Sequence, residues 1–308
     1  MRKPVIIDCD PGHDDAIALL LAFASDLLDV RAVTVVAGNQ TLDKTLRNAL
    51  RVLSFAGIEV EVAAGAGKPL CRPLIVAPQV HGESGLDGPI LPEPAYGPSP
   101  RSAVDVIVDT LRRSPAPVTL IPTGPLTNVA LALSVAPDIK KNIERITLMG
   151  GAPYEGNWTP AAEFNILVDP EAARIVFESG VPITMVGLDV THKAQVYPED
   201  VQALYAMNRR VARMVAELLD FYALFHRRFG FRGSPLHDPV AVAAVIDPTM
   251  LTTRHLRVDI ECHGEFTTGR TVVDIYGVTG RPPNADVALE IDRERFMRML
   301  FEALEKYD

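Results

Sequence analysis

At 308 residues, 48% hydrophobic and 22% charged, the chain has a globular balance and core enough for one large α/β domain or two small ones. Its formal net charge of -9 argues against a nucleic-acid partner, and its three cysteines, Cys9, Cys71 and Cys262, form no CxxC pair, which excludes a disulfide framework or a zinc ribbon. No apolar run approaches the ~18 residues of a membrane span and no apolar signal region precedes the first strand, so no membrane partner and a cytoplasmic setting are expected.

The chain opens on a buried strand, Val5-Ile6-Ile7, that ends in Asp8-Cys9-Asp10, turns at Pro11-Gly12 and enters a helix at His13-Asp14-Asp15. In a parallel sheet, ligands bind outside the carboxyl ends of the strands, where this turn lies. Four carboxylates thus crowd one strand-to-helix corner. Two of them about 4 Å apart repel by roughly 4 kcal/mol at an effective dielectric of ~20, against a total fold stability of about 5–15 kcal/mol. Helix capping asks for one acid, so the remaining acids call for protons or a cation. A hard divalent ion with oxygen ligands, Ca²⁺ or Mg²⁺, fits better than zinc.

Residues 16–24 are apolar almost all round and predict a helix covered on both sides. Arg31–Ala37 reads as a second buried strand ending at Gly38-Asn39-Gln40, and Leu42, Leu46, Ala49, Leu50 and Leu53 recur at helical spacing before Gly57. Val60–Ala63 is a third strand. Alternating strand and helix predicts an α/β fold with a mostly parallel central sheet flanked by helices.

Between Gly65 and Pro100 the pattern dissolves into glycine, proline and short polar pieces, a loop length usually tied to function. Here His81-Gly82-Glu83-Ser84-Gly85-Leu86-Asp87-Gly88 offers a histidine in a glycine-rich segment able to close over a pocket; its competing reading is an exposed loop histidine. A helix near Ser102–Arg113 and a strand Val118–Ile121 lead into Pro122-Thr123-Gly124-Pro125, where Thr123 can present its carbonyl to a hard cation. Strand Arg145–Met149, a helix opened by Asp169-Pro170 and strand Pro182–Gly187 follow. Beyond Tyr197 the chain is mainly helical, and the stripe Phe221, Tyr222, Phe225, His226 and Phe229 at helical spacing reads as core. His237-Asp238-Pro239 opens an apolar helix; Arg257–Glu261 and Thr271–Tyr276, with a last helix from Arg293, read as a closing layer.

Together these blocks resemble the nucleoside hydrolase family, the inosine-uridine-preferring N-ribohydrolases. The carriers are Asp8–Asp15, Ala37-Gly38-Asn39, Thr123–Asn128, Met149-Gly150-Gly151, Ala162-Glu163-Phe164-Asn165 and His237-Asp238-Pro239, in order along nearly the whole chain. Segments His81–Gly88, Gly156–Asn165 and Gly187–Gln195 look closest to the pyrimidine-specific branch.

The resemblance implies a Rossmann-like domain over 1–308 with a helical C-terminal part covering the active site. It implies a Ca²⁺ held by Asp10, Asp15, the Thr123 carbonyl and Asp238, with Asp10 as general base toward a water that attacks C1′ of the ribose. By similarity Asp14, Asn39, Asn157, Glu163 and Asn165 contact ribose, and Met149 packs on the sugar. His237 and His81 are the expected partners of the leaving base, and which of Tyr222, Phe225 and Phe229 reaches the base stays open. Uridine and cytidine are the expected substrates, with a purine-preferring or broad enzyme as the alternative, and a homodimer or homotetramer as the expected assembly.

Two rivals belong to other classes. A magnesium-dependent phosphatase of the haloacid-dehalogenase type would use Asp8 as nucleophile and Asp10 as general acid, but its motif normally continues with Thr or Val where this chain has Gly12. A nucleoside-sensing protein on a retired scaffold would be expected to have lost Asp10 or a metal ligand, and all are present.

Overall fold

Strands rich in Val, Ile and Leu, buried on both faces, pair in parallel to build the sheet that dominates the computed structural model, which describes residues 2–308. In chain order the strands are β1 (Lys3–Cys9), β2 (Leu28–Val35), β3 (Val62–Ala64), β4 (Val118–Pro122), β5 (Ile143–Met149), β6 (Ile183–Val186), β7 (Gln195–Val196), β8 (Ser234–Pro235), β9 (Leu251–Ile260), β10 (Thr271–Asp274) and β11 (Ala285–Ile291). Nine of them form one sheet in the order β10-β9-β11-β6-β5-β4-β1-β2-β3, while β7 and β8 pair separately. From β3 to β11 every pairing is parallel; β9 and β10 add an antiparallel edge.

The run β3-β2-β1-β4-β5-β6 is a doubly wound order. The chain winds outward from β1 through β2 to β3, then returns to β4 on the other side of β1, so the carboxyl ends of β1 and β4 flank the switch point where such sheets bind ligands.

Alternation along β1 divides the core. Val5, Ile7 and Cys9 join the apolar cluster on one face with helices His13–Ala24, Leu42–Phe55, Arg210–Arg228, Asp238–Ile246 and Arg293–Leu304. Ile6 joins the opposite cluster with helices Ala103–Arg113, Thr127–Val135 and Pro170–Phe177. Each fully buried Ile or Leu contributes about 1.5–3 kcal/mol relative to exposure. The helix His13–Ala24 is covered almost all round, as its composition predicts.

Two expectations change. Arg257–Glu261 and Thr271–Tyr276 do not form a closing layer: β9 and β10 extend the central sheet, attached through a strand the sequence reading passes over, β11. Asp286 and Glu290 interrupt the apolar run of β11, and its parallel pairing to β6 spans only Asp286↔Thr184 and Val287↔Met185. The second strand begins and ends earlier than expected, at Leu28–Val35, which leaves Gly38-Asn39 in the connection beside the site.

Candidate active site and metal centre

Three carboxylates meet at the switch point. Asp14 and Asp15 come from the first turn of the helix His13–Ala24 and Asp238 from the first turn of Asp238–Ile246, and one oxygen of each lies within 4.8 Å of the others. All three are buried. Asp15 also does the capping that a single acid can do, accepting the Gly12 N–H at 3.0 Å and the Asp10 N–H at 3.3 Å.

Asp10 stands beside this trio, outside the tight cluster. Its Oδ2 accepts the Asn39 N–H at 2.6 Å, while its Oδ1 is buried with no hydrogen-bond partner. The carboxylate is wedged between glycines: a Cβ on Gly124 would lie 2.5 Å from Asp10 Oδ1, and one on Gly38 would collide with Oδ2. Burial, and next the charge of Asp15, push the Asp10 carboxyl well above the usual carboxylate range. Burial and then Asp14 do the same to Asp238, and burial and then Asp15 raise Asp14 to about 7. A buried, all-oxygen cluster with an orphaned carboxylate oxygen fits a hard divalent cation such as Ca²⁺.

Thr123 follows β4. Its hydroxyl donates to Asp15 Oδ1 at 2.9 Å and its carbonyl accepts the Asn165 amide at 2.7 Å, which leaves one carbonyl lone pair for a further partner.

Above the carboxylates opens a cavity of about 550 Å³, within the range of small-molecule sites. One wall is polar. Glu163 caps the short helix Phe164–Val168 and accepts N–H groups from Asn165 at 2.8 Å, Gly151 at 2.9 Å and Ile166 at 3.1 Å; burial nevertheless raises its carboxyl to about 7. Asn165 is turned by its bond to Thr123 and a longer one to the Met149 carbonyl at 3.3 Å. Asn157 accepts the Phe164 N–H at 3.0 Å, and Asp14, Asn39 and Met149 complete this end. Every residue expected at the sugar therefore lines one cavity.

The other end is aromatic and imidazole-rich. His81, read from the sequence as able to close over a pocket or else as an exposed loop histidine, is buried at the end of a short helix, Pro78–His81, and lines the cavity. His237 also lines it, its Nδ1 2.8 Å from the Thr191 hydroxyl; burial holds both rings far below the ordinary imidazole range, so both are neutral near pH 7. Of the aromatic stripe read as core, Tyr222, Phe225, His226 and Phe229 are cavity wall, whereas Phe221 stacks on His13 instead. Tyr222 donates its hydroxyl to Asp14 at 3.4 Å, which turns it toward the carboxylates. Trp158, His192 and Phe231 also line the cavity, and no motif or spacing in the sequence singles them out as a set.

No Lys or Arg lines this cavity, whereas Asp14, Glu155, Glu163 and Asp238 do, so it suits a neutral ligand and repels a phosphate ester. Asp8, the nucleophile of the phosphatase reading, is turned away from it: its Oδ1 accepts from the Thr34 hydroxyl at 2.6 Å and the Asn128 amide at 2.8 Å. No helix among the described residues is long and apolar enough to cross a membrane.

The model of the family described as inosine-uridine preferring nucleoside hydrolase matches residues 5–298. The pyrimidine-specific ribonucleoside hydrolase RihA of Shewanella woodyi is 55% identical, covering 100% of this chain and 99% of its own. The protein of that name from Citrobacter koseri is 56% identical with the same coverage. Among solved structures, a purine-preferring ribonucleoside hydrolase from Gardnerella vaginalis superposes with a TM-score of 0.93 at 33% identity, covering 99% of this chain and 98% of that one. An inosine-guanosine nucleoside hydrolase does so at 0.92 and 29%, covering 100% of both. With its doubly wound sheet and the acidic cluster at its switch point, the chain belongs to the inosine-uridine preferring nucleoside hydrolase family.

Proposed function

We propose that this protein hydrolyses the N-glycosidic bond of pyrimidine ribonucleosides, uridine and cytidine first, releasing the free base and ribose. The observation that carries the reading is one cavity that joins a buried acidic cluster to an amide-lined wall and holds no Lys or Arg. Such a site rewards hydroxyl groups and rejects phosphates. The names of the relatives at 55% and 56% identity favour pyrimidines, whereas the superposed structures are named for purines, so the shared fold leaves the choice of base to the imidazole-rich end.

Asp10, Asp15, Asp238 and the Thr123 carbonyl would hold Ca²⁺; Asp14, clustered with Asp15 and Asp238, also lines the cavity. When bound, the cation supplies Lewis acidity that lets a water lose a proton near neutral pH. Asp10 would accept that proton as general base, and the water would attack C1′ of the ribose. Asp14, Asn39, Asn157 and Asn165 hold the ribose hydroxyls, Met149 packs on the ring, and Glu163 places negative charge near the oxocarbenium-like sugar. His237 hydrogen-bonds the departing base. The 308 residues act as one domain, in the cytoplasm, and as a homodimer or homotetramer.

The test is ribose release from uridine, cytidine, inosine and adenosine with and without a calcium chelator. Chelator-sensitive cleavage led by uridine and cytidine is expected. Cleavage led by purines would keep the reaction and overturn the base assignment; no ribose from any of the four in calcium-loaded protein would refute the whole reading.

A further inference from the structure

Two glycine-bounded segments far apart in the chain, Pro11-Gly12-His13 and His81–Gly88, meet through an unusual contact: the Nδ1 atoms of His13 and His81 lie 3.1 Å apart. We infer that His13 is a positioning residue that locks His81 in its Nδ1–H tautomer, so that His81 meets the substrate with a proton-free Nε2, as a hydrogen-bond acceptor.

The chain of reasoning starts at Asp87. Its main-chain carbonyl lies 2.7 Å from His13 Nε2, and a carbonyl can only accept, so that nitrogen carries the hydrogen. A neutral imidazole has one N–H, which leaves His13 Nδ1 as a bare lone pair. That lone pair faces His81 Nδ1 at 3.1 Å, and two lone pairs at that distance repel, so the proton between them belongs to His81. His13 is wholly buried and stacked beside Phe221 and Tyr222, surroundings that disfavour an imidazolium donating from both nitrogens.

One contact pulls the other way. The His13 main-chain N–H points at His81 Nδ1 from 3.3 Å and would favour a lone pair there. Satisfying it would turn the His13 ring over to its Nδ1–H form and set a bare Nε2 against the Asp87 carbonyl at 2.7 Å. The shorter contact is the stronger constraint and wins.

The Asp87 carbonyl is itself held in place. The Asp87 carboxylate accepts the main-chain N–H groups of Glu83 and Ser84, each at 3.1 Å, and its own N–H donates to the His81 carbonyl at 3.3 Å. Gly82 and Gly88, at φ of 79° and 127°, allow this closed loop, and Gly12 allows the approach: a Cβ there would lie 2.5 Å from His81 Nδ1. With its Nδ1 edge turned to His13, His81 has its Nε2 left for the cavity that it lines. It then orients a donor on the nucleoside, a ring N–H, an amino group or a hydroxyl, and does not protonate the departing base. Proton donation to the base is left to His237.

The kinetic arm of this inference rests on the proposed nucleoside hydrolysis; the tautomer is measured without substrate. Ring ¹⁵N spectra of the calcium-loaded, full-length protein are expected to give His81 a pyrrole-type Nδ1 and a pyridine-type Nε2, and His13 the reverse. In His13→Phe, His81 is expected to shift toward Nε2–H and KM for uridine to rise roughly tenfold, the size of one lost hydrogen bond. His13→Asn, which restores an acceptor near the Nδ1 position, is expected to recover both. A wild-type His81 with a pyridine-type Nδ1, or a tautomer unmoved by His13→Phe, overturns the inference. If His13→Phe does not fold, the wild-type spectrum decides alone. Absence of any nucleoside cleavage would sink the functional reading and leave the spectrum untouched.

Discussion

Removing the cation at two pH values tests the acidic cluster most directly. The three oxygens of Asp14, Asp15 and Asp238 lie within 4.8 Å of one another, so each charged pair costs at least about 3 kcal/mol at an effective dielectric of ~20, or roughly 10 kcal/mol for three pairs. Without a cation, protons must take its place. Asp14 has its folded pKa raised to about 7 by burial and then by Asp15, so its contribution to stability is present in acid and lost as pH rises through about 7. Between pH 5 and pH 7 that loss is about 3 kcal/mol for one retained proton, at ~1.4 kcal/mol per pH unit. For a chain of 308 residues, at about 2 °C per kcal/mol, chelation is expected to lower Tm by about 6 °C more at pH 8 than at pH 5. Differential scanning calorimetry with and without a chelator, then with calcium restored, reads this out. Equal loss at both pH values, or the greater loss in acid, would refute the idea that these carboxylates share a cation.

The other expectations are chemical and local. Asp10→Asn keeps the volume between Gly38 and Gly124 but removes the proposed base, so kcat for uridine is expected to fall by roughly 10²–10⁴ while circular dichroism stays native. Gly124→Ala would put a methyl 2.5 Å from Asp10 Oδ1; weaker calcium binding by titration calorimetry is expected, and unchanged affinity would show that Asp10 is not a ligand. Asn128→Ala takes one of the two donors from the buried Asp8 Oδ1 without touching the cavity, and is expected to cost about 1–3 kcal/mol in denaturant melts with KM unchanged. With Asp14, Asn39 and Asn165 lining the cavity where the proposed reading seats the sugar, thymidine should be cleaved with far lower kcat/KM than uridine; comparable values would show that the hydroxyl contacts do little in the transition state.

The residues read as metal and sugar contacts lie at strand ends and helix starts. Local pattern marks Asp10, Asp14, Asp15 and the Thr123 carbonyl, by an apolar run that stops at an acid, a Pro-Gly turn and a strand that ends in Pro-Thr-Gly, whereas the roles of Asn39, Asn165 and Asp238 come only from the family resemblance. The parallel order of the inner strands follows from the same alternation. What the sequence left open is carried by contacts with no local mark. Tyr222 reaches Asp14 across 208 positions, and His13 meets the Asp87 carbonyl across 74. An aromatic stripe at helical spacing looks the same whether it faces a core or a cavity, and only the packing of Arg210–Arg228 over the strand ends made Phe225 and Phe229 a wall. Likewise β11, interrupted by Asp286 and Glu290, is a strand because β6 and β9 lie on either side to pair with it. Sequence alone determined which groups are candidates for the chemistry; the tertiary structure decided which way they face, because orientation depends on neighbours that are distant in the chain.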